Sequence, residues 1–393
     1  MNGTIYMPVG EVCSSISDTY REKKNMVTLI NTSDVLEGRV LNHERVPNSN
    51  LKGQFKKTFQ RDDILYSEIR PQNRRFAYVD FSPIDYIAST KLMVIRAKKD
   101  VVSPKYLYYF LKNSSTVAEL QLLAETRSGT FPQITFSEVA NLTIPVPSLA
   151  VQEVIVQTMQ CLEDKITCNE QINDNLEQQA QSYFQELFVD NADPEWAIGT
   201  ISDLGTVVGG STPSKAKPEY YTESGIAWIT PKDLSINKSK FVSHGENDIT
   251  ELGLKNSSAA IMPEGTVLFS SRAPIGYIAI AAGEVTTNQG FKSVVPKPEI
   301  GTPFVYFFLK NTLPVIEGMA SGSTFKEVSG STMKNVSAVI PDAETLAKFS
   351  DFCAPIFAQQ RILEEQNQSL ATLRDNLLPK LMSGEIDVSA VQL

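Results

Sequence analysis

Tyr106–Ser115 reads YLYYFLKNSS, and Phe304–Leu313 reads FVYFFLKNTL. The tetrapeptide FLKN thus occurs at Phe110–Asn113 and again at Phe308–Asn311, each time behind an aromatic run. A phrase repeated at so long an interval points to a duplicated domain rather than to a short solenoid repeat. The flanks extend the match. SGTFPQITFSEVANLTIPVP follows the first copy and SGSTFKEVSGSTMKNVSAVIP the second, so that Phe131, Asn141 and Pro147 correspond to Phe325, Asn335 and Pro341 at an offset of 194. Upstream, DILYSEIRP (Asp63–Pro71) resembles TVLFSSRAP (Thr266–Pro274), and LINTSDV (Leu29–Val35) is placed like WITPKDL (Trp228–Leu234), which pairs Asp34 with Asp233. The offset drifts by a few residues, as loop insertions produce.

Each copy runs on into a long amphipathic segment. Ile155, Met159, Leu162, Ile166, Asn169, Asn173, Leu176, Ala180, Tyr183 and Leu187 are spaced by alternating steps of four and three. The same offset of 194 gives Phe349, Cys353, Ile356, Gln360, Leu363, Asn367, Leu370, Arg374, Leu377 and Leu381. This is the a/d seam of a coiled coil, sustained for about five heptads in both halves. Pro145 and Pro147 stand before the first segment and VDNADPE (Val189–Glu195) after it; Pro341 and Asp342 precede the second, and Pro379 with SGE (Ser383–Glu385) closes it. Pro355, inside the second pattern, should kink that helix or delay its start. A helix of about 38 residues is roughly 57 Å long, and one apolar seam of that length needs a partner. Antiparallel pairing of the two segments sets Ile155 against Leu381, Leu187 against Phe349 and Asn169 against Asn367, and a buried Asn pair would fix that register. Two separate core helices remain the alternative. The helix-pairing residues are therefore Ile155, Leu162, Ile166, Asn169, Leu176, Leu187, Ile356, Leu363, Asn367, Leu370, Leu377 and Leu381.

Ahead of each helix lie short β-rich runs: DILYSEI, YIAST, KLMVIRA and ANLTIPV in the first half, TVLFSS, YIAIAAG and FKSVVP in the second. The FLKN phrases close aromatic helices over 104–113 and 303–311, each with Pro in the first turn. Because the phrase is shared, Lys112 and Lys310 read as scaffold, with Tyr108, Leu111, Tyr306 and Leu309 as packing positions. The expected fold is α+β: two similar β-rich α/β domains separated by two long antiparallel coiled-coil helices, in a pseudo-twofold internal repeat. The boundaries are a first β-rich domain at 1–148, a helix at 149–188, a linker at 189–195, a second β-rich domain at 196–342, a second helix at 343–383 and a tail at 384–393.

The chain's 393 residues suit two domains, and 42% hydrophobic with 21% charged residues is an ordinary globular composition. No run of about 18 apolar residues is present, and MNGTIYMPVGEVC lacks a secretory leader's pattern. A cytoplasmic protein is expected. Cys13, Cys161, Cys168 and Cys353 have no CxxC spacing and read as reduced, buried thiols. The net charge is −9, but it is segregated: Arg39–Lys112 holds 15 basic and 7 acidic residues, Val151–Asp190 holds 1 and 8, and Gly199–Pro341 holds 12 of each. The basic segment can meet an anionic partner whatever the total; two solvated faces are the plainer alternative.

Signatures of catalysis are missing. There is no GxxxxGK[ST], no GxGxxG behind a strand, no N/DPPY tetrapeptide and no Gly-rich loop for S-adenosylmethionine. Only His43 and His244 are available for a triad or a metal cage, and both read as loop residues. GGSTPSK (Gly209–Lys215) lacks the spacing of a phosphate cradle. Asp62–Asp63 and Glu364–Glu365 are adjacent acids that read as solvated. No metal site is expected.

With that plan in place, LRDNLLPKLMSGEIDV (Leu373–Val388), SSRAPIGYIAI (Ser270–Ile280), TTNQGFKSVVP (Thr286–Pro296) and SGSTFKE (Ser321–Glu327) together resemble the DNA-specificity subunit of type I restriction–modification enzymes, across nearly the whole chain. The first half departs where Ser89-Thr90-Lys91-Leu92 replaces Asn288-Gln289-Gly290-Phe291. The resemblance implies a non-catalytic subunit of a phage-defence system whose two target-recognition domains each read one half of a bipartite double-stranded DNA target. It implies that the helices space the halves and dock two modification subunits, which carry S-adenosylmethionine and methylate adenine, and that restriction subunits using ATP and magnesium join them. No cofactor is expected in this chain and no membrane contact.

Within that frame, the basic loop residues Lys52, Lys56, Lys57, Arg61, Arg70, Arg74 and Arg75 of the first domain are expected at the DNA, with Arg70, Arg74 and Arg75 as base readers because bidentate Arg suits guanine. In the second domain the candidates are Lys215, Lys217, Lys232, Lys238, Lys240 and Arg272, with Thr212 and Ser271 contributing hydroxyls. Two other readings stay open: an enzyme with attached recognition domains, and a coiled-coil adaptor that binds protein without reading DNA.

Overall fold

The computed structural model describes residues 4–22, 24–49, 53–127, 130–322 and 326–388. Lys52, Ser128, Gly129 and Phe325, which entered the sequence argument, lie outside the described residues. The chain divides into two units, Met1–Ile166 with Ser369–Leu393, and Thr167–Gln368. Each is one β-rich half with its share of both long helices.

In the first unit, Cys13–Ile16, Leu92–Ala97, Ile64–Ser67 and Phe76–Tyr78 form an antiparallel sheet in that spatial order. A second sheet runs Val46–Pro47, Met26–Ile30, Tyr86–Ser89, Phe55–Lys57, with Met26–Ile30 and Tyr86–Ser89 parallel. The second unit repeats the first plan. Gly205–Gly209, Lys292–Pro296, Val267–Ser271 and Ile275–Ala281 follow the same order, with Phe241–Val242 added at the edge. Trp228–Ile229 runs parallel to Thr286–Thr287. In both units a strand at the start pairs antiparallel with the strand that leads into the long helix: Ile5–Pro8 with Thr143–Val146, and Ala197–Thr200 with Ser337–Ile340.

The duplication persists at single residues. Asp34 accepts from the backbone N–H of Asn31 at 2.7 Å, and Asp233 does the same for Thr230 at 2.7 Å. Each closes a capping box directly after the strand of the parallel pair, satisfying backbone donors that would otherwise be orphaned. The strands expected from the sequence are present, most within a residue or two, but ANLTIPV begins as the end of the helix Phe136–Asn141 and is a strand only from Thr143 to Val146. The aromatic helices differ from expectation. The first is Pro104–Lys112, but Asn113 leaves helical geometry and its side-chain oxygen accepts from Ser115 N, starting a further helix, Ser114–Arg127. The second continues from Thr302 to Gly318 through Pro314.

The long helices are Leu149–Gln185 and Ala343–Ser383, 37 and 41 residues. The first ends in a wider π turn, Glu186–Asp190. Pro355 does not delay the second helix, nor does Pro379 end it. Asp342 caps the start by accepting from Thr345 N at 2.9 Å, and Gly384, at φ 78°, supplies the left-handed residue that stops it.

The helices pack antiparallel within each unit. In the first, Ile155 and Met159 share an apolar cluster with Leu378, Leu381 and Met382, and Leu162 and Leu377 pack on its edge. In the second, Phe184 and Phe188 meet Phe349, Phe304 and Phe307, with Leu176, Leu187 and Ile356 in the same cluster. A fully buried side chain of this size is worth about 1.5–3 kcal/mol, so these aromatic layers fix the helix ends to their domain. Between them Asn169 is fully buried and its Nδ2 donates to Asn367 Oδ1 at 2.8 Å. Leu363 is buried, while Ile166 and Leu370 are half-buried.

Candidate nucleic-acid interface

The first unit presents its cations on a tight turn. Pro71–Asn73 forms one turn of 3-10 helix, flanked by Arg70 at φ 44° and Arg74 at φ 51°. Left-handed backbone at a non-glycine residue costs of order 1 kcal/mol or more and persists where the surroundings hold it. Here Arg70 N donates to Pro132 O at 3.1 Å, Arg74 N to Pro71 O at 2.9 Å, and Gln72 N to the buried Gln121 at 3.2 Å. Arg70 points outward and is exposed. Arg74 Nη2 donates to Ser114 Oγ at 3.0 Å, and Arg75 Nη1 to Ser33 O at 3.0 Å. These partners are neutral, so the cluster keeps its full positive charge. Lys56 and Arg61 are exposed as well.

Three expected contacts are not on the surface. Lys57 is half-buried and its ammonium is taken up by the carbonyls of Thr90 and Leu92 at 3.1 and 2.8 Å; burial lowers its pKa. Ser271 is fully buried and donates to Gly290 O at 3.1 Å. Lys240 is buried under the second unit's aromatic helix, 2.7 Å from Glu177 and 2.8 Å from Gln360, with its Nζ 3.6 Å from the centre of the Phe357 ring. Burial pushes Lys240 down to about 8, an effect that Glu177 only partly offsets. Each of these groups is spent on structure.

Of the remaining candidate cations of the second unit, Lys232 and Arg272 are paired with carboxylates. Lys232 pairs with Glu246 at 2.5 Å, and Arg272 and Lys292 both reach Glu327 at 3.5 Å. Lys217 lies over the Tyr220 ring at 5.2 Å, and Lys238 over the Tyr277 ring at 4.7 Å. Lys215 is exposed, and Thr212 donates its hydroxyl to Gln289. Lys91 and Gln289 lie at corresponding turns and were not among the candidates. The signal that could have found them was the divergent tetrapeptide pair, Ser89–Leu92 against Asn288–Phe291.

Both FLKN lysines belong to the scaffold. Lys112 pairs with Glu163 of the first long helix, which also accepts from Tyr109 Oη at 2.8 Å. Lys310 pairs with Glu177 of the same helix at 2.5 Å, and Tyr306 Oη donates there at 3.1 Å. Two readings of the acids and thiols need correction. Asp63 is fully buried and takes a two-pronged bond from Arg96, 2.7 Å on each arm. Glu364 is half-buried and accepts from the backbone of Lys240 and Phe241; burial raises its pKa. Cys13 and Cys353 are buried, whereas Cys161 and Cys168 are exposed. Among the described residues no group of His, Cys, Asp and Glu could hold a metal, and no helix is long and apolar enough to cross a membrane.

The repeated β-rich units, each tied by a lysine–glutamate pair to a long helix, define a duplicated α+β protein. The family model described as the type I restriction modification DNA specificity domain matches residues 6–178 and again 194–373, and the chain belongs to that family. It is 29% identical over 435 residues to the HindI specificity subunit of Haemophilus influenzae, covering 92% of this chain and 94% of that one. The MjaIX specificity subunit of Methanocaldococcus jannaschii is 39% identical over 194 residues, 47% of this chain and 45% of the other. The crystal structure of a type I restriction–modification S subunit from M. genitalium shares the fold, with a TM-score of 0.53 at 16% identity over 97% and 96% of the two chains.

Proposed function

We propose that each β-rich unit reads one half of a bipartite DNA target, and that the chain itself catalyses nothing. The observation that carries this is the turn at Arg70–Arg75, where cations on neutral partners are held on a rigid, strained backbone. Rigid placement lowers the entropy lost on binding, and uncompensated guanidiniums serve phosphate and guanine alike. The second unit, whose Lys232 and Arg272 are paired with carboxylates and whose Lys240 is buried, leans on the first for phosphate affinity. The paired helices space the two half-sites.

The helices also dock the modification subunits. On Ala343–Ser383 a second heptad face runs through Phe352, Pro355, Gln359, Ile362, Gln366, Ser369 and Leu373 without a charge. Phe352, Ile362 and Leu373 are 39%, 47% and 50% exposed. An uncharged exposed seam of this kind suits further helices. In the cytoplasmic complex S-adenosylmethionine belongs to the modification subunits, and ATP with magnesium to the restriction subunits.

Mapping methylated adenines in cells that express the modification subunits with and without this chain tests the reading. The expected result is a single bipartite motif that appears only with the chain. Methylation that ignores the chain would leave it a protein-binding adaptor.

A further inference from the structure

Lys240 stands where the β-rich domain of the second unit meets both long helices. It precedes the edge strand Phe241–Val242, and its carbonyl accepts from Ile280 N at 2.7 Å, which ties it to the sheet. Its backbone N–H and that of Phe241 donate to the two carboxylate oxygens of Glu364, on the second long helix, at 2.7 and 3.0 Å. Its ammonium donates to Glu177 Oε2 on the first helix at 2.7 Å and to Gln360 Oε1 on the second at 2.8 Å. Gln360 Nε2 in turn donates to Asn173 O at 3.2 Å, and the Phe357 and Tyr306 rings stand 3.6 and 4.5 Å from the Lys240 Nζ. One buried residue thus holds a sheet and two helices together. The segment that it terminates, Pro231 to Ser239, carries the exposed candidates Lys232 and Lys238.

An apolar side chain would fill this aromatic pocket without taking an ammonium out of water, and replacing a buried ion pair by apolar groups is often neutral or stabilising. What the lysine adds is direction. Bonds at fixed angles to two different helices allow one bearing of the domain on them, whereas apolar contact alone lets it roll; a fully satisfied buried polar network specifies a single arrangement. The first unit is attached differently. There Glu163 pairs with Lys112, and at the offset of 194 its place is taken by Phe357, so that the second unit draws its carboxylate from Glu177 and pairs it with Lys240 as well as Lys310.

Bearing matters for a bipartite target. Each base pair added to the spacer moves the far half-site by about 3.4 Å and turns it by about 35°, at a repeat of 10–10.5 base pairs. Helix length sets the distance, but a domain free to roll would also accept neighbouring spacers.

We propose that Lys240 is a positioning residue for spacer specificity: through Glu177 and Gln360 it fixes the bearing of the second β-rich domain on the helices, so that one half-site separation is read. The inference rests on the DNA-recognition reading above and adds what sets its angular precision. The test uses the assembled complex with its modification subunits and compares the wild type with the double variant Lys240→Met, Glu177→Gln. A glutamine at 177 keeps an acceptor for Tyr306 and Lys310 and a donor for Gln360, and removing both charges strands neither. Denaturant unfolding should place the double variant close to wild type and well above Glu177→Gln alone. Adenine-methylation mapping, and binding to duplexes that differ only in spacer, should show both half-site sequences unchanged, with spacers one base pair longer and one shorter now accepted beside the native one. A purely structural pair would alter stability and leave the accepted spacer as it was. Gln360→Met, which removes a single arm, should relax the spacer in the same way, and it decides the matter if the double variant does not assemble. A folded variant that keeps the wild-type spacer, or that relaxes the base preference of a half-site instead, overturns the assignment. If the wild-type complex itself shows no bipartite motif, it is the underlying reading that fails.

Discussion

Arg70 and Arg74 owe their positions to backbone that only a well-braced turn can hold. Both sit at positive φ, braced by Pro71, Pro132 and Gln121. If they bind phosphate, each should release about one counterion equivalent. Arg70→Ala with Arg74→Ala should then weaken DNA binding by the assembled complex and flatten the slope of log affinity against log salt by about 1 per residue. Titrations at several salt concentrations check this, and an unchanged slope removes both from the phosphate contact. The sequence could rank these arginines as candidates because charge clusters are visible in it. It could not exclude Lys57, Lys240 or Ser271, since their burial depends on neighbours distant in the chain. The cysteines follow the same logic. Burial pushes the Cys13 and Cys353 thiols up to about 12, so they hold almost no thiolate at neutral pH. A thiol reagent should label Cys161 and Cys168 in the folded chain and spare the other two, and mass spectrometry of labelled peptides reads this directly.

At the scale of elements, the long helices carry an electrostatic joint in the second unit. Glu177 receives Lys240, Lys310 and Tyr306 while keeping about a fifth of its side chain accessible, at 22%. Burial alone would raise its pKa, but the two ammoniums outweigh burial and hold it below the ordinary 4.5. A carboxylate depressed on folding adds stability above its unfolded pKa and loses it as pH falls through the folded value. Glu177→Gln should therefore cost about 3 kcal/mol near neutral pH, because it strands a buried lysine. The gap to wild type should close as pH drops below 4.5, which denaturant unfolding at a series of pH values measures. The Asn169–Asn367 bond permits a second check. With Cys168 replaced by Ser, cysteines at 169 and 367 should be joined by a short thiol-to-thiol crosslinker in the folded chain. Failure to crosslink would contradict the register that brings these side chains within 2.8 Å. The helices were legible because a heptad seam is written in one dimension. The joint was not, because Lys240 reaches Glu177 from a strand edge that no periodicity announces.

The whole molecule is a repeat whose frame is preserved and whose rims have diverged. Capping boxes, strand order and the lysine–glutamate ties recur in both units, and each recurrence had a trace in the sequence. Among the loops that differ, Ser89–Leu92 against Asn288–Phe291 is one divergence visible in the sequence. If the paired helices are a ruler, their length and not their surface sets the spacer. Seven residues inserted into each, after Cys168 and after Asn367, keep the seam continuous and add about 10 Å at 1.5 Å per residue. That is about three base pairs at 3.4 Å each. Three base pairs also turn the duplex by roughly a third of its 10–10.5 base-pair helical repeat, so the longer target must twist to present both half-sites. The inserted protein should methylate a motif with the same two half-sites and a spacer longer by about three, at reduced affinity. Retention of the original spacer would mean that the helices do not measure the distance.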